Sequence, residues 1–497
     1  MGLLLAGLRL HTYDEPFDRD LMTYSVMAHE LLDGKKLYVE VWDHKPPGIY
    51  LSYAASQLAG GYGPLSIYLL GVTAAVGTLV AVFGAVRRAT GSLRAGIWAG
   101  AFWVAVSSDL FLEANQPNTE ALINFCLAGV AACLIPAPDE GAASLSRCIA
   151  AGLFLSYATL LKQPAIVAVA PLLLVSFWPF GRERPAAAKH LLGAAVLTGT
   201  VLTTWCLVLG WYQVTGRFAA FYETVFEFNW YYVNYTGGLP ANLAQGLSIG
   251  HLVPRETRFL WPLVILAFAG LLLGGRRRPA LGLALLGWIG GTAAFIALPG
   301  RFFPHYYQLW LPPLTIGAGC SVGFISRFPE RWARAAAHGA ALASLALLAA
   351  YETPFFGMTA EAWSRLKFGD RFAAVRAEAG TIERLLAPDE RFFAWDTEPG
   401  LYFYSRRRPA SSFTNVSAFL YYKPFAVRFE ARLLDELRRA PPELIVRRVD
   451  LTLPPDLKDL IDSGWERWPV PKAQEFDYEL EYRVRRGGRL EARLSKR

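Results

Sequence analysis

The sequence predicts a polytopic α-helical membrane protein with a C-terminal soluble α/β domain. Hydrophobic residues make up 54% of the 497 positions and charged ones only 18%, with 15 tryptophans, a balance too apolar for one soluble domain. The apolar residues form runs of spanning or near-spanning length separated by short basic clusters, the pattern that sets membrane topology. Beyond residue 351 charge becomes frequent and short β-rich pieces alternate with helical patterns. The net charge of +8 is scattered between apolar segments, so no nucleic-acid partner is expected. All five cysteines (Cys126, Cys133, Cys148, Cys206, Cys320) fall inside apolar runs, which leaves no disulfide framework and no CxxC metal site.

Taken in order, Met1 to Leu10 covers about half the hydrocarbon core at helical rise. It lacks the basic flank and cleavage site of a signal peptide, and is read as a first span shortened at its cytoplasmic end or a start codon placed too late. A polar stretch follows. From Asp20, Leu21, Tyr24, Met27, Ala28, Leu31 and Leu32 recur at helical spacing, predicting an amphipathic interfacial helix stopped by Gly34. A second interfacial helix should start at Pro46-Pro47 and end near Gly60-Gly61, fixing His44 and Lys45 at its mouth.

Apolar runs then occupy about 65–86, 93–111, 120–136, 189–213, 258–275, 279–298, 309–326 and 335–351. The longer run at 148–180 is broken by Lys162-Gln163-Pro164 and is read as two short helices returning the chain to its starting side. The total is about eleven spans. Arg87-Arg88-Arg94, Arg147, Arg182-Arg184-Lys189, Arg276-Arg277-Arg278 and Arg327-Arg331-Arg334 then share one side, expected to be cytoplasmic. The loops at 14–60, 112–119, 162, 214–257 and 299–308 and the C-terminal tail face outward. Residues 1–351 are read as the transmembrane domain and 352–497 as the soluble one, with helices at about 369–387 and 424–439 and strands at Arg391–Trp395, Leu444–Arg447 and Tyr478–Val484.

Asp20-x-x-x-Tyr24, Leu31-Leu32-Asp33-Gly34 and Trp42-Asp43-His44-Lys45-Pro46-Pro47 resemble the first outer loop of the bacterial polyprenyl-phosphate-sugar glycosyltransferases. These are GT-C membrane enzymes that include the protein O-mannosyltransferases of glycosyltransferase family 39 and the lipid A aminoarabinose transferases. The resemblance extends to Asn118-Thr119-Glu120, Leu161-Lys162-Gln163-Pro164 and Arg301-Phe302-Phe303-Pro304-His305-Tyr306-Tyr307. It implies a GT-C architecture, a polyprenyl-phosphate sugar donor, an extracytoplasmic hydroxyl acceptor, and a site on the outer face of the bacterial cytoplasmic membrane. Asp20 resembles the family's catalytic Asp, a general base in an inverting displacement, and Glu120 its second acidic position. Lys45, Lys162 and Arg301 are the cations expected at the donor phosphate, with His305 and Tyr306 as hydrogen-bond donors and Tyr24, Asp43 and His44 beside them. Many members carry an acidic pair where this chain has Asp20-Leu21, and the aminoarabinose transferases a base at Thr23, so part of the phosphate's binding passes to Arg19.

Simpler readings stand beside these. Asp18 or Asp20 can serve as a helix N-cap worth about 1 kcal/mol, Lys45 or Lys162 can snorkel, and Glu120 can be an acid favoured near a helix N-terminus. The aromatic run Phe218–Tyr235 fits an interfacial belt as well as a sugar-stacking surface. His29, Asp43, His44 and His305 with Asp20 are the groups from which a divalent-cation site would be built, but their spacing is not diagnostic, and no tightly bound cofactor or metal is expected. Trp395-Asp396-Thr397-Glu398-Pro399 and Arg406-Arg407-Arg408 are read as surface. A transporter should show repeated halves with matching broken helices, which this chain lacks, and a membrane scaffold needs none of the polar loop chemistry. The enzyme reading requires Asp20, Lys45, Glu120, Lys162 and Arg301 to converge on one cavity.

Overall fold

The computed structural model describes residues 1–138, 140–177, 184–248, 250–251, 253–275, 278–470 and 479–496. Residues 178–180 of the interrupted apolar run, Arg182, Arg276, Arg277 and Tyr478 lie outside the described residues.

Three short helices, α1 (Gly2–Arg9), α2 (Arg19–Leu32) and α3 (Gly48–Gly60), precede the long α4 (Pro64–Thr90). The bundle continues through α5 (Leu93–Val106), α6 (Thr119–Leu134), α7 (Leu145–Leu161), α8 (Ala165–Phe177) and α9 (Arg184–Val214). A segment of α10 (Phe218–Tyr222), a turn of π-helix at Glu223–Phe228, α11 (Asn229–Asn234) and α12 (Gly238–Ser248) leads to α13 (Trp261–Gly275), α14 (Pro279–Ala297), α15 (Leu311–Ile325) and α16 (Arg331–Phe356).

Among the described residues, four helices are long and apolar enough to cross a bilayer by themselves: α4, residues 186–214 of α9, α14 and α16. About eleven spans were expected from run length. Several helices stop where polar residues begin: α5 gives way to buried Ser107, Ser108 and Asp109, α6 starts after Asn118, and α7 ends at Lys162. The break at Lys162 to Pro164 produces the expected helix pair, α7 and α8.

The basic residues gather at the opposite end of the bundle. Arg88 and Arg147 both pair with Glu140 at 2.7 Å. Arg278 donates to the carbonyls of Ala89 (2.6 Å) and Pro136 (3.0 Å), and Arg327 to that of Thr90, so arginines satisfy the open carbonyls at the C-terminal ends of α4 and α6. Close helix crossings rely on small residues. A Cβ on Gly291 of α14 would lie 2.6 Å from the backbone oxygens of Val167 and Ala168 in α8.

The C-terminal part surrounds a five-stranded sheet of β1 (Arg391–Trp395), β2 (Arg408–Pro409), β3 (Leu444–Arg448), β4 (Trp465–Trp468) and β5 (Leu480–Arg485), in the order β2-β1-β3-β5-β4. β1 is parallel to β2 and β3, while β5 is antiparallel to β3 and β4. Its helices are α17 (Ala360–Phe368), α18 (Arg371–Leu385), α19 (Gly400–Ser405), α20 (Ser417–Tyr421), α21 (Lys423–Arg439), α22 (Pro455–Gly464) and α23 (Arg489–Leu494). Side chains alternate across β1, as strand geometry requires. Phe392 and Ala394 join the core shared with α2 and the bundle, whereas Phe393 and Trp395 join a second cluster with Trp42, Phe228 and Phe429.

Two sequence expectations are corrected here. The amphipathic pattern of α2 predicted one solvated face, yet Leu21 through Ala28 are all buried. The polar face of α2 is covered by the C-terminal part, where Arg408 pairs with Glu30 (2.8 Å) and Glu398 with Arg19 (3.1 Å). For the same reason Asp396, Thr397 and Glu398, read as surface, are buried, and Arg407 and Arg408 of the basic run are tied to Leu386 and to Glu30 and Asp33.

Candidate active site

A cavity of about 470 Å³ lies at the end of the bundle remote from the arginine cluster, beneath the C-terminal part. It is lined by Asp20, Asp43, His44, Lys45, Lys162, Arg301, His305 and Tyr306, eight of the ten residues singled out in the sequence. Glu120 and Tyr24 stand directly behind this lining. Glu120 pairs with Lys162, and the Tyr24 hydroxyl donates to Asp20 Oδ2 (3.0 Å). The cavity therefore draws on α2, the 42–46 turn, the α7–α8 break and the 301–306 segment, which are far apart in sequence.

Local structure presets each group. Asp18 is the N-cap of α2, its carboxylate accepting from the Leu21 amide (2.9 Å), and this places Asp20 in the first turn facing inward. The backbone of Lys45 is held from both sides: its carbonyl accepts from the Tyr38 hydroxyl (2.9 Å) and its amide donates to Tyr50 Oη (3.3 Å). Asp43 accepts from the same Tyr50 hydroxyl at 2.6 Å. The π-helical turn before α11 brings Phe228 and Tyr232 into the wall, so the aromatic run divides between cavity residues and exposed ones such as Trp230.

The charges are mostly paired. Lys45 Nζ lies 3.4 Å from Asp20 Oδ2, Lys162 is joined to Glu120, and His305 Nδ1 lies 3.2 Å from Glu113 Oε2. Among the described residues Arg301 has no carboxylate partner. Its guanidinium sits over the rings of Tyr232 and Tyr235, 5.4 and 5.7 Å from their centroids, and donates to the Tyr422 hydroxyl at 3.4 Å. Arg19 also lines the cavity, but its charge is taken up by Glu398 rather than left for a phosphate.

These arrangements set protonation. Burial alone would raise the Asp20 carboxyl, but Lys45, His305 and Lys162 outweigh it and hold the group below the usual carboxylate range. Burial would lower His305, yet the Glu113 carboxylate more than offsets it and pushes the imidazole up to about 9. Burial brings the Lys162 ammonium down despite Glu120 beside it. His29 stacks on Tyr62 with centroids 4.0 Å apart and is not among the lining residues, so it does not join Asp43, His44 and His305.

Several participants were not found in the sequence. Glu113 and Tyr422 contact the expected cations, and Asn415, Ser417 and Ala418 of the C-terminal part complete the wall. The signal available for Glu113 was its place as an acid at a membrane boundary, without the motif match that marked Glu120.

No family model matches the sequence, and comparison with curated proteins gives no significant match. Solved structures do resemble it. The apo form of ArnT from Cupriavidus metallidurans superposes with a TM-score of 0.61 over 97% of this chain and 96% of its own, at 16% sequence identity. The chain has the GT-C fold. The archaeal oligosaccharyltransferase AglB from Archaeoglobus fulgidus, solved with an inhibitory peptide and a dolichol-phosphate, follows with a TM-score of 0.50, 13% identity, and coverage of 90% of this chain and 68% of that one. At these identities the GT-C fold is carried by the placement of helices, with little left in the sequence.

Proposed function

We propose that the protein is a membrane glycosyltransferase that moves a sugar from a polyprenyl-phosphate donor to a hydroxyl acceptor on the extracytoplasmic side of a bacterial cytoplasmic membrane. The observation that carries the reading is that Arg301, without a carboxylate partner among the described residues, faces the same cavity as the Asp20 carboxylate and the ammonium groups of Lys45 and Lys162. An anion is the missing partner of that set. Support also comes from the neighbouring fold of AglB, which was solved holding a dolichol-phosphate, and from the arginine cluster at the far end of the bundle, which by the charge bias of membrane proteins belongs in the cytoplasm.

In this reading the donor phosphate sits against Arg301, Lys45 and His305, with Lys162 steadied by Glu120 and by the Tyr306 ring 4.4 Å beneath it. The acceptor oxygen attacks the anomeric carbon as its proton passes to Asp20. The bond from that carbon to the phosphate oxygen breaks with its electron pair, leaving polyprenyl phosphate. One displacement inverts the anomeric centre. The cations stabilise charge that grows on the leaving phosphate, so they favour the transition state over the bound donor. Lys45 and His305 also depress Asp20, and a phosphate that partly neutralises them restores basicity to the carboxylate when the donor is in place.

The test is incubation of the full-length enzyme with radiolabelled polyprenyl-phosphate sugars and cell-envelope extract. Wild type is expected to transfer label with inversion, and Asp20→Asn to be slower by roughly 10²–10⁴-fold. Equal transfer by both proteins removes Asp20 as the base.

A further inference from the structure

Glu113 lies in the loop between α5 and α6 and has no part in the mechanism above. It is 6% exposed, and its backbone is left-handed with φ of 52°, a conformation that non-glycine residues rarely adopt. The loop around it is over-determined. Asp109 accepts from the Leu112 amide (2.6 Å) and the Ala114 amide bonds to the Asp109 carbonyl (3.0 Å). Arg9 donates to the carbonyls of Ala114 (3.0 Å) and Asn115 (2.7 Å), and Glu15 takes the side-chain amides of Asn115 and Gln116. Strained residues held in this way cluster where geometry matters to function. Phe302, another of the four non-glycine residues at positive φ among the described residues, belongs to the 301–306 segment that helps to build the cavity, and Tyr38, a third, holds the Lys45 carbonyl.

The rigid loop delivers one group. Glu113 Oε2 meets His305 Nδ1 at 3.2 Å, and the His305 ring lies between Phe303 and Tyr306 at the cavity wall. A buried ion pair is poor evidence of stabilisation for its own sake. We infer that Glu113 is a positioning residue, whose carboxylate accepts the Nδ1 proton of His305 and so presents the opposite N–H, on Nε2, to the donor phosphate as a charged hydrogen-bond donor. This role rests on the proposed function and adds to it a residue that fixes how the phosphate is met. A neutral imidazole has one N–H and a choice of tautomer; with Glu113 on Nδ1 both nitrogens carry protons and the ring cannot turn.

The charged groups facing His305 are Glu113, Glu120 and Lys162, with Asp18 and Asp20 from α2. Burial pushes the Asp18 carboxyl up to about 8, with Glu113 and Asp20 adding to the shift.

The experiment uses the full-length chain in nanodiscs with isotopically labelled histidine. There are seven histidines, and His305→Gln identifies the resonance. In Glu113→Gln the His305 pKa is expected to fall by about one unit or more and the affinity for sugar-free polyprenyl phosphate to drop about tenfold. Glu113→Asp should recover part of both. An unchanged His305 pKa, or a lowered one with unchanged lipid-phosphate affinity in Glu113→Gln, overturns the role of Glu113 alone. Absence of polyprenyl-phosphate binding by the wild type overturns the proposed function and this role with it.

Discussion

Lys45 lies 3.4 Å from the carboxylate proposed to take the acceptor proton and in the same cavity as the space left for the leaving phosphate, so its charge acts on both partners of the reaction. Replacing Lys45 by Met should lower transfer by roughly 10²–10³-fold, the usual loss for a positioned charge, and move the acid limb of the pH–rate profile upward, because Asp20 loses the first of the charges that hold it down. The sign of the stability effect is opposite for the two kinds of group. The depressed Asp20 stabilises the fold above its unfolded value of 3.8 and loses that contribution as pH falls, whereas the raised His305 contributes fully below 6.5 and loses it as pH climbs through about 9. Transfer by wild type should therefore decline above about pH 9 and the His305→Gln variant should lack that decline; pH–rate profiles of the three proteins check both limbs. At this scale the sequence was informative, since ionisable groups such as Asp20, Lys45, Lys162, Arg301 and His305 are conspicuous in an apolar chain. Glu113 escaped notice because its partner is 192 residues away and its left-handed backbone leaves no mark on residue order.

Helices carry these groups into register, and two contacts show how little slack they have. Asp18 caps α2 so that Asp20 lies in its first turn, and Gly48 opens α3 against the end of α7, three residues after Lys45. A Cβ on Gly48 would meet the Leu160 carbonyl oxygen at 2.6 Å, a contact that backbone cannot relieve by a rotamer change. Gly48→Ala is expected to destabilise the protein by about 1–3 kcal/mol and to reduce transfer more than donor affinity, because it drives Lys45 away from Lys162 without removing either charge. Thermal unfolding alongside kcat and KM separates the two effects; wild-type kcat in the variant would show that the spacing is unimportant. The helices themselves were legible from periodicity: α2, α3 and α21 begin and end within about two residues of the expected positions, as the capping and proline signals suggest. Apolar run length does not mark where α5 yields to the buried polar residues Ser107–Asp109. β2 is only two residues long and paired to β1, too short to carry a pattern.

Across the whole molecule, one end holds the cavity and the C-terminal part, and the other holds Arg88, Arg147, Arg278 and Arg327. The C-terminal part is bound to the bundle by more than a linker: Arg432 donates to the carbonyls of Tyr38 (3.1 Å) and Val39 (2.6 Å), and the Trp42 amide bonds to the Ser412 carbonyl (2.9 Å), so the turn that carries Lys45 is fastened to it. Both hydrophobic clusters combine residues of the C-terminal part with residues from 1–351, which explains why burial claimed residues that looked like surface in the sequence. This shared packing also makes orientation a single choice, since the cavity and the C-terminal part must face the same compartment while α4, α6, α7 and α15 run from that end to the arginines. The proposed orientation puts the arginine end in the cytoplasm, as the charge bias of membrane proteins favours. Cysteine introduced at Ser463, an exposed position of the C-terminal part, should react with a membrane-impermeant maleimide in intact cells, and cysteine at Gly141, exposed beside Glu140 and its arginines, only after permeabilisation. Both belong in a background without the five native cysteines, one of which, Cys206, is exposed. The reverse labelling pattern would place Asp20 and Arg301 in the cytoplasm and leave no route from the cavity to an extracytoplasmic hydroxyl.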